Sequence, residues 1–397
     1  MQIGLGTEGF VGQERAIAAL SRFLARGHVP TTLLLSGPPG TGKTTLAAIF
    51  AKALLCARRA EAEGLGSCGE CYSCRAMPAG PTADFMFVLP RTKQITVEVV
   101  EEDYDNFSTA LRLPSQSPHR VILIDSAHAL NEQTSNMMLK LFEEAPDKTV
   151  FILVTDHPYR LLPTIRSRCE EIRLSQVAPD ALAAALSARG IEQGRAKRAA
   201  GYAQGKWTLA LFAAQAAFHP AGKWSGGIPP WRAWREETEN RKLGEWSRTA
   251  ELGGGIAALD ALHGLDDALE AARRTGDGDT LLDVFMFLAR GLWDSACRRE
   301  EELIAWTLPD KEMLGEKAKD AKRWDIKAER KNELLRAAEK TALDWVRESL
   351  SRLGAAGGGS RARIVFDAAV LDRAEMWIEQ NVMEDYVMAA LGAGLGR

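Results

Sequence analysis

Residues 37–44 read Gly-Pro-Pro-Gly-Thr-Gly-Lys-Thr, a glycine-rich segment of the kind that surrounds phosphate groups. The segment follows an apolar run at residues 32–35 and precedes a helical pattern at residues 44–55, which is the context that makes the pattern specific. Glycines let consecutive backbone N–H groups curl around an anion, and a helix N-terminus adds partial positive charge. We therefore predict a nucleoside triphosphate site. Its predicted ligands are Gly37, Pro38, Pro39, Gly40, Thr41, Gly42, Lys43 and Thr44.

A magnesium ion is expected beside the phosphates. Lys43 would reach the terminal phosphates, and Thr44 would offer its hydroxyl to Mg²⁺. A hydroxyl alone is a weak ligand, so a carboxylate from another strand is needed. Asp125 is the candidate, because it ends the apolar run at residues 121–125 and would lie at the sheet edge where such folds bind ligands.

The residue after Asp125 is unfavourable for hydrolysis. A glutamate would normally orient or deprotonate the attacking water, and the serine found here, Ser126, cannot act as that base. We therefore expect ATP to be bound and hydrolysed slowly or not at all, unless His128 or Asp156 substitutes. His128 itself is interpreted as a surface residue of a helix.

Four of the six cysteines crowd into one short segment with the spacing C-x11-C-x2-C-x2-C. Close CxxC steps let two sulfurs and the neighbouring backbone N–H groups enclose one tetrahedral ion, and four thiolates leave no open position. We predict structural Zn²⁺ bound by Cys56, Cys68, Cys71 and Cys74, fixing the loop at residues 57–75. The alternative is a redox-active set, since CxxC pairs also occur in oxidoreductases.

Residues 165–169 read Ile-Arg-Ser-Arg-Cys and follow the last apolar strand pattern. An arginine at a domain edge can enter the phosphate site of a neighbouring subunit and stabilise charge on the transferring phosphoryl group. Arg168 is the candidate for such a trans arginine finger. The alternative is an ordinary surface salt bridge. Cys169 is interpreted as a packing residue.

The order of apolar and helical patterns predicts an α/β domain followed by helical domains. Apolar runs alternate with helical patterns through residue 175, which indicates a parallel sheet covered by helices. Ala-rich and Leu-rich helical patterns follow, and residues 219–233, dense in Pro, Gly and Trp, indicate a boundary. The predicted domains are 1–175 for nucleotide binding with a zinc-binding insertion at 56–75, 176–218 as a helical lid, and 219–397 as a helical collar.

The net charge of −3 and the pI near 6.2 argue against DNA binding through bulk positive charge, so any DNA contact should be shared with partners. The interleaved charges at residues 311–340 favour a solvated helix face. No apolar run reaches the roughly 20 residues that a membrane span needs, and no signal core opens the sequence. With the clustered, reduced cysteines, this predicts a cytoplasmic protein without membrane contact.

These motifs, in this order, resemble the bacterial DNA polymerase III clamp-loader branch of the AAA+ ATPases. The resemblance rests on Phe-Val-Gly-Gln at residues 10–13, on residues 136–146 after the second nucleotide motif, on Ser-Arg-Cys at 167–169 and on the cysteine module after the phosphate loop. It implies a RecA-like P-loop AAA+ domain, a small helical lid and an all-α collar that joins five subunits. It also implies that Val11 and Gly12 lie beside the adenine and that Thr155 is the first sensor residue.

Two departures separate this chain from the motor subunits of that family. Motors carry Asp-Glu where this chain has Asp125-Ser126, and a sensor arginine where it has Lys206-Trp207-Thr208. Residues 371–382 also resemble the last helices of the delta-prime type of subunit. The resemblance therefore implies a delta-prime-like subunit whose own ATPase is weak or absent.

The implied function is to bind ATP or ADP with Mg²⁺ and to donate Arg168 while a hetero-pentamer with gamma/tau and delta subunits loads the sliding clamp onto primed DNA. DNA contact would be indirect or shared. The alternatives are an active gamma/tau-type motor and an unrelated AAA+ protein remodeller.

Overall fold

The computed structural model describes residues 10–59, 63–77, 81–90, 92–103, 115–215, 217–218, 256–257, 289, 292, 296–297, 300–301, 328–355, 369–376 and 378. The chain divides into two compact units. The first unit comprises residues 1–185, 204–208 and 298–330, and the second comprises residues 186–203, 209–297 and 331–397.

A five-stranded parallel sheet forms the centre of the first unit. Its strands are β1 (Thr32–Ser36), β2 (Phe85–Val88), β3 (Arg120–Ile124), β4 (Thr149–Thr155) and β5 (Glu170–Arg173), in the spatial order β2-β3-β4-β1-β5. The apolar runs at 32–35, 121–124 and 150–155 predicted three of these strands, and all three are confirmed. Strands β2 and β5 were not predicted. Strand β5 lies at the sheet edge and only Ile172 of its four side chains is buried, whereas β2 is a run of only four residues, all apolar and buried.

Helices of the first unit cover the sheet. They are α1 (Glu14–Arg26), α2 (Lys43–Leu55), α3 (Tyr72–Ala76), α4 (Val97–Asp103), α5 (Glu132–Glu143) and α6 (Pro163–Arg166), with 3-10 turns at Ala127–Ala129 and Pro158–Arg160. Helix α7 (Pro179–Ala188) follows the last strand. Side-chain and backbone capping fix the start of α5, because Asn131 accepts a hydrogen bond from the Thr134 N–H at 2.8 Å.

Two apolar clusters pack on opposite faces of the sheet. Leu33 and Leu35 of β1 belong to one cluster with α2, and Leu34 between them belongs to the other with α5. Successive side chains of a strand point to opposite faces, so a strand buried on both sides is apolar at every position. This explains why β1, β3 and β4 appear in the sequence as continuous apolar runs. Packing on both faces also fixes the sheet, and with it the edge at which its parallel strands end.

The described part of the second unit is mostly helical. It contains α8 (Gln193–Tyr202), α9 (Trp207–Gln215, from residue 209 onwards) and most of α10 (Ala328–Ala355), with a short pair of strands, β6 (Ala217–Phe218) and β7 (Ile256–Ala257). The buried Trp345 indole donates to the Tyr202 carbonyl at 2.9 Å. The Ala-rich and Leu-rich helical patterns predicted after residue 175 are confirmed by α7 and α8.

The predicted limits of the lid and collar stay predictions. Most of residues 219–397, including the boundary segment at 219–233 and the charged stretch at 311–327, lies outside the described residues. Within the described part of the chain, no helix is both long enough and apolar enough to cross a bilayer.

Candidate nucleotide site

The phosphate loop connects the end of β1 to the start of α2, as the sequence predicted. Its tight path depends on glycine at two points. A Cβ on Gly37 would lie 2.3 Å from the Leu174 carbonyl oxygen, and Gly42, with φ of 91°, would place one 2.8 Å from the Phe10 ring. Neither position accepts a larger side chain without moving its neighbour, so the loop is held close to β5 and to the chain before α1.

Lys43 begins α2 and is only 8% exposed. Its ammonium donates to the Pro38 carbonyl at 2.7 Å, and the Thr41 hydroxyl donates to the same oxygen at 2.9 Å. A phosphate oxygen carries charge and is a stronger acceptor than a peptide carbonyl, so a bound phosphate would draw the ammonium away from Pro38. The predicted phosphate-binding residues Gly37 to Thr44 therefore all lie in one continuous cradle.

The structure brings Thr44 and Asp125 together although 81 residues separate them. The Thr44 hydroxyl donates to Asp125 Oδ2 at 2.9 Å, and Asp125 Oδ1 accepts the Ser126 backbone N–H at 2.7 Å. Both bonds orient the carboxylate at the carboxyl edge of the sheet. A hydroxyl beside a carboxylate is an oxygen donor set that Mg²⁺ accepts, so these two residues fit the predicted ion.

Replacing Asp125 with asparagine is expected to remove most of the Mg²⁺ dependence of nucleotide affinity. The amide is nearly isosteric and can keep the contact to Thr44, but it lacks the charge that holds the ion. We expect the affinity gain that Mg²⁺ gives the wild-type chain for ATP to fall by about tenfold or more, a loss of roughly 1.4 kcal/mol. Fluorescent-nucleotide titrations with Mg²⁺ and with EDTA measure this, and Asp147→Asn, which removes an exposed carboxylate outside the site, is the control. An unchanged Mg²⁺ effect in Asp125→Asn would contradict the assignment.

Thr155, the predicted sensor residue, ends β4 and is 1% exposed. Its hydroxyl oxygen accepts the His157 backbone N–H at 3.0 Å and lies 3.1 Å from His128 Nδ1. His128 Nδ1 is also 3.4 Å from Asp156 Oδ1.

The interpretation of His128 as a surface residue is therefore wrong. Its side chain is 13% exposed and packs against the end of β4. The physical reason is local: Ser126 has φ of 52°, in the left-handed region, and the 3-10 turn that follows directs His128 back toward the sheet. Sequence spacing could not anticipate this reversal.

Val11 and Gly12 lie just before α1, and their expected place beside the adenine stays a prediction. A Cβ on Gly12 would come within 2.6 Å of a Val177 methyl group. The next residue, Gln13, was not singled out from the sequence, yet it is buried and forms two hydrogen bonds with Ser175, 162 residues away: its amide donates to the carbonyl at 2.6 Å and its oxygen accepts the N–H at 3.2 Å. This pair ties the segment before α1 to the chain after β5.

Arg168 follows α6 and its side chain is 44% exposed. Its guanidinium donates to Glu143 Oε1 at 2.8 Å and to the Thr164 carbonyl at 3.2 Å. Two residues earlier, the Arg166 guanidinium lies 4.9 Å from the centre of the exposed Tyr159 ring. Both sequence interpretations of Arg168 therefore remain open, because a surface salt bridge and a surface-exposed finger are compatible with this position.

The four cysteines Cys56, Cys68, Cys71 and Cys74 form one cluster whose sulfurs all lie within 4.8 Å of one another. Cys56 directly follows α2, and Cys71 and Cys74 flank the start of α3. The sulfurs of Cys68 and Cys74 are 4.0 Å apart, and neither is disulfide-bonded. Zn–S bonds of about 2.3 Å in a tetrahedron place sulfurs about 3.8 Å apart, so the cluster fits a single zinc ion.

The cysteines differ in how readily they deprotonate. Backbone N–H donation from Cys71 lowers the pKa of Cys68 to about 6, whereas burial raises the pKa of Cys74 to about 12. Four sulfurs this close would repel as thiolates without a cation between them, so the arrangement favours metal binding over free thiols. Outside the cluster, burial raises the pKa of Cys169 to about 12, and its thiol donates to the Ile165 carbonyl at 3.1 Å, as expected for a packing residue.

Comparison with known proteins supports the resemblance that the motifs predicted. A family model described as DNA polymerase III, delta subunit matches residues 12–178. The gamma/tau subunit of DNA polymerase III from Mycobacterium tuberculosis H37Rv is 37% identical over 178 residues, which are 45% of this chain and 30% of that protein. The delta' subunit from Pseudomonas aeruginosa is 37% identical over 152 residues, 38% of this chain and 45% of that protein.

The matched region thus spans less than half the length of these relatives. Among solved structures, a DNA polymerase III gamma subunit-related protein from Thermotoga maritima aligns with 96% of this chain and 100% of its own, at a TM-score of 0.44 and 12% identity. Residues 12–178 are therefore similar to bacterial clamp-loader subunits, as the motifs predicted, and the parallel α/β fold fits a P-loop domain. Equal identity to gamma/tau and delta' relatives does not separate these two types.

Proposed function

We propose that this chain, similar over residues 12–178 to bacterial clamp-loader subunits, acts as a delta-prime-like subunit of the DNA polymerase III clamp loader. It binds ATP or ADP with Mg²⁺ in the cradle of residues 37–44 and donates Arg168 in trans to a neighbouring subunit. The observation that carries this proposal is Ser126: the cradle and its metal carboxylate are intact, and the residue that should activate water is a serine.

The surroundings of Ser126 give it no route to act as a base. Its hydroxyl has no negative charge, and its backbone N–H is committed to Asp125. The substitutes considered from the sequence, His128 and Asp156, contact each other: His128 Nδ1 lies 3.4 Å from Asp156 Oδ1 and 3.1 Å from the Thr155 hydroxyl oxygen. Because Ser126 itself cannot act as a base, the proposal expects nucleotide binding with slow or no turnover unless His128 or Asp156 takes that role.

The position of Arg168 supports a role toward a partner. The Arg168–Glu143 pair is exposed on both sides, at 44% and 58%, and exposed ion pairs contribute only about 0–1 kcal/mol. The phosphate of a nucleotide bound to a neighbouring subunit carries more negative charge than the Glu143 carboxylate and can accept two hydrogen bonds from the guanidinium. It can therefore replace Glu143 at little cost in free energy. Glu143 then serves as a temporary partner that keeps the guanidinium at the surface.

The remaining parts of the proposal follow from the resemblance. The RecA-like AAA+ domain would be followed by a helical lid and an all-α collar that joins gamma/tau and delta subunits in a hetero-pentamer. The assembly would open the sliding clamp and place it on primed DNA, with any DNA contact shared or indirect. Zn²⁺ on the four cysteines would have a structural role.

An active gamma/tau-type motor is the second candidate, and one observation favours it. Lys43, Thr44, Asp125 and Thr155 all lie at the same sheet edge, and the M. tuberculosis gamma/tau relative is 37% identical across this region. A pocket that had lost its role would be free to lose these residues. An unrelated AAA+ protein remodeller would be favoured only if the chain failed to associate with clamp-loader subunits.

Steady-state ATP hydrolysis separates the two candidates. We expect negligible turnover by the isolated chain and little change, less than about twofold, when Lys43→Ala is introduced into the reconstituted assembly, because hydrolysis would occur at other subunits. Circular dichroism checks that Lys43→Ala still folds, and nucleotide titration checks that it has lost ATP affinity. Robust turnover by the isolated chain, abolished by Lys43→Ala, would overturn the proposal in favour of the motor.

A further inference from the structure

Three side chains with metal-binding atoms converge at the end of β4. His128 comes from the 3-10 turn after β3, and Asp156 and His157 come directly after β4. His128 Nδ1 lies 3.4 Å and His157 Nε2 lies 4.0 Å from the same oxygen, Asp156 Oδ1. All three ligand atoms fall within 4.8 Å of one another, and the two imidazole rings meet edge to face at 5.0 Å.

We propose that His128, Asp156 and His157 bind one divalent transition-metal ion, through Nδ1, Oδ1 and Nε2 respectively. Metal–nitrogen and metal–oxygen bonds of about 2.0–2.1 Å in a tetrahedron place ligand atoms about 3.4 Å apart. The His128–Asp156 separation already has this value. The distance between His157 Nε2 and Asp156 Oδ1 must close from 4.0 Å to about 3.4 Å, and the His157 ring, at 57% exposure, has room to move.

The donor set decides the class of ion. Two imidazoles with one carboxylate suit Zn²⁺, Ni²⁺ or Co²⁺, whereas Mg²⁺ and Ca²⁺ prefer oxygen ligands alone. The site is separate from the cysteine cluster, whose thiolate set closes all four positions around its own ion. Three protein ligands leave a position open to water, so this second site is expected to exchange its metal more readily than the cysteine cluster does.

Metal binding here would act on Thr155. His128 Nδ1 is 3.1 Å from the Thr155 hydroxyl oxygen, and a nitrogen whose lone pair binds a metal can neither donate to that hydroxyl nor accept from it. The Thr155 oxygen keeps the His157 backbone N–H at 3.0 Å, so only the contact between the Thr155 hydroxyl and His128 is released. The site therefore connects metal occupancy to the residue at the edge of the nucleotide pocket, independently of which clamp-loader role the chain has.

Isothermal titration of full-length protein with NiCl₂ tests this site, after brief dialysis against a chelator that removes exchangeable metal and leaves zinc on the cysteine cluster. We expect about one additional ion per chain in the wild type and an affinity loss of about tenfold or more in His157→Ala, which removes one ligand. His157 is exposed and keeps its backbone contact to Thr155 in that variant, so the fold should be unaffected, as circular dichroism would verify. The matched control is His28→Asn, which changes an exposed histidine in the loop after α1, outside the cluster.

The outcomes are distinct. Loss of nickel affinity in His157→Ala and in Asp156→Asn, with none in His28→Asn, supports the site. Nickel affinity unchanged in His157→Ala, or no binding to the wild type up to millimolar nickel, overturns it. Neither result depends on ATP turnover or on assembly with other subunits, so a failure here would leave the proposed function untouched.

Discussion

Replacing Arg168 with alanine in a reconstituted assembly is expected to lower ATP turnover at the neighbouring subunit's site by about 10³-fold or more, the range seen when a trans arginine is removed. The guanidinium would stabilise charge that develops on the transferring phosphoryl group, and alanine leaves that charge without its partner. Affinity of this chain for its own nucleotide should not change, because Arg168 lies away from the Lys43 cradle in sequence and pairs with Glu143.

The measurement has to isolate one site. Replacing the phosphate-loop lysine in every subunit except the neighbour leaves only the neighbour's site active. Single-turnover hydrolysis is then compared between assemblies that contain the wild-type chain and assemblies that contain Arg168→Ala. Arg166→Ala is the matched control, because it removes a guanidinium two residues away that contacts Tyr159 instead. Arg168→Lys separates charge from geometry, since lysine cannot form the bidentate contact.

Equal losses in Arg166→Ala and Arg168→Ala would point to a damaged α6 region and not to a finger. Turnover that survives Arg168→Ala in an assembly of normal composition would contradict the arginine finger. The surface salt bridge with Glu143 would then be the remaining interpretation of Arg168. Loss confined to Arg168→Ala, with intact assembly by size-exclusion chromatography, supports the proposal.

Replacing Cys71 with serine is expected to abolish stable zinc binding. Elemental analysis of wild-type protein purified without added zinc should give about one zinc per chain, and the serine variant should give close to none, because a hydroxyl is a poor ligand for Zn²⁺ beside three sulfurs. Where no hydrophobic core holds the metal ligands in place, metal binding contributes directly to the free energy of folding. Here the sheet has its own apolar core, so the expected damage is local.

Limited proteolysis measures that local effect. Cleavage within residues 57–75 should rise at least tenfold in Cys71→Ser, a loss of about 1.4 kcal/mol or more of local stability, while the sheet stays protected. Cys169→Ser is the matched control, because it changes a thiol outside the cluster that only donates to the Ile165 carbonyl. Wild-type protein that carries no zinc and forms disulfides under mild oxidation would instead support the redox alternative.

Much of the fold and of the site could be predicted from local sequence. The phosphate loop, Asp125 at the end of an apolar run and the four cysteines all depend on spacing within short segments, and the structure places each set together. Strands β1, β3 and β4 were predicted because each contains a continuous apolar run. Strand β2 was not predicted although its four residues are apolar and buried, and β5 was not predicted because an edge strand with one buried residue gives no such run.

The sequence by itself determined which chemical groups are available: a cradle with its lysine and threonine, a metal carboxylate, four thiols in CxxC steps, and a serine where a base would stand. Only the tertiary structure decided which distant groups meet. Gln13 reaches Ser175, His128 turns back to Thr155 and Asp156, and Arg168 pairs with Glu143. These contacts join residues that 25 to 162 positions separate, and no helical or strand period extends so far. The contacts of Gln13 and His128 follow from the packing of parallel strands, which brings the carboxyl ends of β3, β4 and β5 to one edge. Glu143 and Arg168 meet because α5 and α6 pack against each other.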